Sequence, residues 1–121
     1  MAEPTFVAGR NIAMKVPPSQ YDSTVAFYRD VLRFPMLEEF APSVVFEFGA
    51  SHLWIDRVPS VSQAELWLEV VTDDLSAAAE CLDTAGVARC DEIEPLREDF
   101  AGFWISSPAS IVHLVCTPAD A

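Results

Sequence analysis

The chain has little of three things on which many small-molecule proteins depend: 4 glycines, 2 histidines and 7 Lys plus Arg in 121 residues. So few glycines leave no phosphate-cradling glycine loop, and neither a Ser-His-Asp order nor a basic aromatic patch is visible. The 7 basic residues face 19 Asp plus Glu, giving a formal charge of −12. Such a field repels nucleic acid and anionic membrane surfaces and favours cationic partners, so neither of the first two is an expected partner. Cysteine is scarce as well. Cys81, Cys90 and Cys116 are odd in number and lack C-x-x-C spacing, which reads as buried free thiols rather than a disulfide framework or zinc knuckle. No apolar run is long enough to span a bilayer, and the opening MAEPTFVAGR has neither a basic leader nor a long apolar segment, so a cytoplasmic chain is expected.

What the chain does have is core material, 51% apolar residues, enough for one compact domain over residues 1–121. In NIAMKV, Ile12, Met14 and Val16 alternate with Asn11, Ala13 and Lys15, the period of a half-buried strand, and Pro17 and Pro18 end it. A helix is expected from about Tyr21 to Arg33, capped by Ser19 or Asp22, with Val25, Tyr28, Val31 and Leu32 as its inward stripe and Pro35 as its stop. Three strand candidates follow, LEEF, SVVFEF and HLWIDRV, separated by Pro42 and GAS. After the polar PSVSQ the grammar restarts. ELWLEVV alternates as a strand, and TDDLSAAAECLDTAG reads as a helix with Thr72, Asp73 or Asp74 at its start and Gly86 at its end. Three further strand candidates, ARCDEIE, AGFWISS and SIVHLVC, complete the second half. The two halves repeat one element order, with module one at about 6–58 and module two at about 64–117.

NIAMKV followed by FYRDVLRF, then DDLSAAAECLDTAG and a closing SPASIVHLV, resembles the vicinal oxygen chelate superfamily, which includes glyoxalase I, bleomycin-resistance proteins and extradiol dioxygenases. The resemblance covers nearly the whole chain, and FYRDVL just after the first strand is its most specific piece. It implies an α+β fold in which two βαβββ modules form a cupped mixed sheet around a cavity, with helices on the outer face, and a homodimer. Arg33 stands where the family usually has glycine, and SPAS replaces the usual DPDGN turn.

On that fold the helix FYRDVL packs outside, with Phe27, Tyr28, Val31 and Leu32 on the sheet and Arg29 and Asp30 in solvent. Function then belongs to the concave face. Alternation along the strands turns Asn11, Ala13 and Lys15 inward, with His52, Trp54 and Asp56, and Glu65, Trp67 and Glu69; by analogy Ile111, His113 and Val115 are placed inward too. The resemblance implies a divalent metal held at four positions, which here read Asn11, Trp54, Glu65 and His113. An asparagine amide is a poor ligand and an indole has no lone pair to give, so two good donors remain. No cofactor is therefore expected; the alternative is Fe, Mn, Ni or Zn on Glu65, His113 and, after a register shift, His52 or Asp56.

Three functions follow. The first is a metal-free binding protein of the bleomycin-resistance type, holding a cationic or aromatic small molecule. Its ligand would lie against Trp54, Trp67 and Trp104, with Lys15, His52, Asp56, Glu65, Glu69 and His113 around it. The second is a metal-dependent lyase, isomerase or dioxygenase using His113 and Glu65. The third is a ligandless dimerisation domain whose tryptophans simply fill the cup. The identity of the ligand is not written in the sequence.

Overall fold

The computed structural model describes residues 3–121. Among them, eight strands and two α-helices succeed one another: β1 (Phe6–Ala8), β2 (Asn11–Val16), α1 (Pro18–Ala26), β3 (Val44–Phe48), β4 (Ser51–Arg57), β5 (Glu65–Thr72), α2 (Leu75–Thr84), β6 (Ala88–Arg89), β7 (Gly102–Ser106) and β8 (Val112–Cys116). The fold is α+β, built as βαβββ modules. The chain divides into two compact units, one of Arg10–Trp67 and one of Leu68–Ala121 with the N-terminal segment ending at Gly9. The short strand β1 thus belongs with the second module, where Phe6 pairs with Thr72 and Ala8 with Val70.

In the Arg10–Trp67 unit, β3 runs antiparallel to β4, β4 parallel to β2, and β2 antiparallel to the start of β5. The alternation of NIAMKV is used as expected: Ile12, Met14 and Val16 face α1, joined by Leu53 and Ile55 of β4 and Val44 and Phe46 of β3. Val16, Phe46 and Ile55 are buried almost completely, each contributing about 1.5–3 kcal/mol of hydrophobic stabilisation.

The helix over this core departs from its expected course. It starts earlier, at Pro18, whose fixed φ and missing N–H suit the first turn. From Phe27 to Val31 it widens into a π turn, with the Leu32 N–H bonded to the Phe27 carbonyl at 3.0 Å. The extra residue of a π turn rotates everything after it about the helix axis. Val25 and Tyr28 pack on the core as expected; Leu32 and especially Val31, 68% exposed, are turned outward, and Phe27, two residues beyond Val25, faces outward already at the start of the π turn.

The segment LEEF is not a strand. A single bridge, Met36 to Phe46, occupies the strand slot of the first module, and Glu38–Phe40 coil into a 3-10 turn. Adjacent glutamates have little preference for a pleated sheet, and Pro42 cannot donate to a ladder.

In the second unit β5 pairs parallel with β8, β8 antiparallel with β7, and β7 antiparallel with the two-residue β6. ARCDEIE is mostly not strand either, since Asp91–Ile93 form a 3-10 turn. Helix α2 is capped as expected. Asp74 accepts the Ala77 N–H at 3.0 Å, and Gly86 adopts φ +80° just past the helix end. Ala78 of α2 is fully buried against Phe103, Ile105 and Val115, with Val70 and Leu75 beside them. Of the three cysteines, only Cys116 is buried; Cys90 is intermediate and Cys81 exposed on α2, because the alanine side of that helix already covers the sheet.

Candidate functional site

Because Ile12, Met14 and Val16 are spent on α1, the other face of the Arg10–Trp67 sheet carries Asn11, Ala13 and Lys15, and β4 adds His52, Trp54 and Asp56. The register sets these side by side: Asn11 opposite His52, Ala13 opposite Trp54, and Lys15 opposite Asp56. On the other side of β2, Ala13 lies opposite Trp67 and Lys15 opposite Glu65. Ala13 is thus the floor between two tryptophans, one on each neighbouring strand.

The polar groups on this face are satisfied by one another. The Trp54 indole N–H donates to Asn11 Oδ1 at 2.8 Å, and the Trp67 indole N–H to Glu65 Oε1 at 3.0 Å. Lys15, only 3% exposed, donates to Asp56 Oδ2 at 2.8 Å and holds its ammonium 4.3 Å from the centre of the Trp67 ring. The cation on this face is thus one of the chain's own, and it neutralises the Asp56 carboxylate. Phe40, from the 3-10 turn that replaced a strand, sets its ring 5.1 Å from Trp54 and 5.5 Å from His52. The sequence carried no sign of this third aromatic contact, since LEEF offered only an ambiguous alternation.

In the second unit, Val70 packs on α2, so Glu69 takes the opposite face of β5, where it is buried beneath Gly9. A Cβ on Gly9 would collide with the Glu69 carboxylate, and the Gly9 N–H donates to the Glu69 carbonyl at 2.9 Å. The Cys116 thiol donates to Glu69 Oε2 at 3.9 Å; burial, reinforced by the Glu69 charge, pushes that thiol up to about 12. Trp104 is buried on the face away from α2, and its indole N–H donates to the Glu94 carbonyl at 2.9 Å.

His113 corrects the expected parity. Val115 packs on Ala78 of α2, so His113, two residues earlier, shares the α2 face beside Leu68 and Ile105, and the opposite face of β8 presents Val112, Leu114 and Cys116. Its Nδ1–H donates to the Ile111 carbonyl at 2.9 Å.

These placements bear on a metal. Asn11 and Glu65 each accept an indole N–H, His113 looks towards α2, and His52 and Asp56 stand four residues apart on β4, roughly 13 Å along a strand. Among the described residues no three His, Cys, Asp or Glu side chains form a group able to hold a metal ion. The residues in the ligand slots do not fit Fe, Mn, Ni or Zn.

No family model matches the chain, and no curated protein matches it in sequence. Solved structures do match. The Mn(II)-bound glyoxalase from Novosphingobium aromaticivorans is 19% identical with a TM-score of 0.60, over 89% of this chain and 38% of that one. A glyoxalase/bleomycin resistance protein/dioxygenase superfamily member from Vibrio splendidus 12B01 is 12% identical with a TM-score of 0.57, over 92% of this chain and 99% of that one. The E323L mutant of homoprotocatechuate 2,3-dioxygenase from Brevibacterium fuscum is 14% identical with a TM-score of 0.60, over 95% of this chain and 33% of that one.

The chain has the vicinal oxygen chelate fold. It spans well under half the length of the Novosphingobium glyoxalase and the Brevibacterium dioxygenase, and nearly all of the Vibrio protein. A vicinal oxygen chelate fold hosts unrelated chemistries, so function has to be argued from the side chains on its sheets.

Proposed function

We propose that this chain is a small-molecule binding protein of the glyoxalase/bleomycin-resistance type, whose ligand lays an aromatic ring against Trp54 and Phe40 above Ala13. One observation carries the reading: the smallest side chain on the polar face of the Arg10–Trp67 sheet lies between two tryptophans in register, with Phe40 against one of them. Neighbouring strands are about 4.8 Å apart, so the two tryptophan Cα atoms flank Ala13 at roughly twice that spacing. The indoles lean apart, Trp54 towards Asn11 and Trp67 towards Glu65, so the ligand ring would stack on the faces of Trp54 and Phe40 rather than between the tryptophans. The description of the Vibrio neighbour, nearly matched in length, names glyoxalase, bleomycin resistance protein and dioxygenase together, so the choice among them rests on the side chains. A metal-dependent lyase, isomerase or dioxygenase would draw on the Mn(II)-bound glyoxalase and the dioxygenase, but the slots as filled here do not supply its donors.

Calorimetric titration with uncharged phenyl, indolyl and naphthyl compounds tests the proposal. At least one class binds, Trp54→Ala and Phe40→Ala each weaken it about tenfold or more, and Ala13→Leu blocks it by filling the floor. Binding that is equally tight in all three variants overturns it.

A further inference from the structure

A cation approaching the polar face of the Arg10–Trp67 sheet would seek an electron-rich ring and a carboxylate, and this face offers both at Trp67 and Asp56. That pair is already engaged. Lys15 comes from the central strand, with Asp56 as its register partner on one side and Glu65 on the other. It bonds the Asp56 carboxylate at 2.8 Å and sits 4.3 Å from the Trp67 ring centre. The lysine side chain is 4% exposed against 30% for Asp56, so the ammonium lies below the carboxylate rather than lying over the surface. A buried ammonium held by a carboxylate and a ring is costly to dislodge, because the displaced charge and its partners would all need new solvation.

We infer that Lys15 is the specificity-determining residue of this face: as a built-in cation between Trp67 and Asp56 it turns away aromatic cations and leaves the face selective for uncharged aromatic ligands. This rests on the aromatic-binding reading above and names its ligand class. Two consequences follow from the same geometry. A second ammonium brought to Trp54 meets the Lys15 charge across Ala13 and finds the Trp67 ring and the Asp56 carboxylate already engaged. Removing the Lys15 ammonium restores that pair, and with it a seat for a small alkylammonium ion.

The experiment uses an isosteric pair, 2-phenylethanol and 2-phenylethylammonium, titrated calorimetrically into the whole protein and into Lys15→Met. The wild type binds the alcohol about tenfold or more tightly than the ammonium, and in Lys15→Met the preference falls to about twofold or reverses. A wild type that takes the ammonium as tightly as the alcohol overturns the inference while leaving the aromatic-binding reading intact.

A second measurement stands apart from that reading. The midpoint of thermal unfolding of Lys15→Ala is followed with n-butylammonium chloride, with sodium chloride at equal ionic strength, and with n-butanol. Only n-butylammonium raises the midpoint of the variant, and it leaves the wild type where sodium chloride does. If the variant does not fold unaided, the same additives are compared for the yield of folded protein on refolding. Equal effects of the three additives show that Lys15 fills no cation seat, and the inference fails. Absence of binding by both phenylethyl compounds together with rescue by n-butylammonium sinks the aromatic-binding reading instead, and with it the ligand class named for Lys15.

Discussion

At the scale of single residues, two positions hold conformations that their side chains oppose. Arg33 and Ser110 adopt φ of 60° and 63°, in the left-handed region where a Cβ crowds the following carbonyl. Arg33 sits at the place where the family resemblance expects glycine, two residues past the end of the π turn, and Ser110 closes the turn before β8 by donating its N–H to the Ser107 carbonyl at 2.8 Å. Relief of the crowding outweighs the extra chain entropy of glycine in the unfolded state. Arg33→Gly and Ser110→Gly should each stabilise the protein by about 0.5–1 kcal/mol in urea unfolding; a loss of stability in both would show that their side-chain contacts matter more than their backbone.

Cys116 gives a prediction in pH. Its thiol is raised from 9.0 to about 12 by burial and by Glu69, so the folded state keeps it neutral while an unfolded chain ionises it. The unfolded state then binds fewer protons between those values, and this contribution to stability is complete below pH 9 and declines as pH climbs towards 12. Urea midpoints measured across that range should fall less steeply in Cys116→Ala than in the wild type. Alkylation at pH 8, read by mass spectrometry, should label exposed Cys81 and spare Cys116.

At the scale of elements, the strands with clear alternation were the most legible parts, and LEEF and ARCDEIE, which coil into 3-10 turns, the least. NIAMKV and ELWLEVV announce both their pleat and their faces because one side is apolar and the other is not. SIVHLVC does not: Val112, Val115 and Cys116 are all buried, so both faces of β8 are apolar and His113 cannot be assigned a side from its neighbours. The π turn leaves no mark at all, since FYRDV has the same helical spacing whether or not one residue is inserted. Its effect is measurable. Val31→Ser, at an exposed site, should change stability by less than about 0.5 kcal/mol, whereas Phe46→Ala, beneath Tyr28, should cost about 3–5 kcal/mol. Removing the α2 cap with Asp74→Ala should cost about 1 kcal/mol in the same assay.

At the scale of the whole molecule, composition and fold act separately. The βαβββ repeat was readable from element order alone, and the structural neighbours bear out the fold it implied. The charge of −12 says nothing about that fold but sets how it behaves in solution: added salt screens the repulsion among 19 acidic side chains, so the unfolding midpoint should rise from low to moderate ionic strength. The candidate site was legible as a set of inward residues on β2, β4 and β5. Its wiring was not, because the Lys15–Asp56 pair and the Trp54–Asn11 bond join residues 41 and 43 positions apart, and only the register of paired strands brings them together.

The most direct measurement is proton–nitrogen correlation NMR of the indole N–H groups. The three tryptophans give three signals, assigned with Trp54→Phe, Trp67→Phe and Trp104→Phe. Titration with uncharged aromatic compounds should move the Trp54 signal in a saturable way and leave Trp104, bonded to the Glu94 carbonyl in the other unit, in place. Signals that all stay fixed, or a shift confined to Trp104, would contradict an aromatic-binding face on the Arg10–Trp67 sheet.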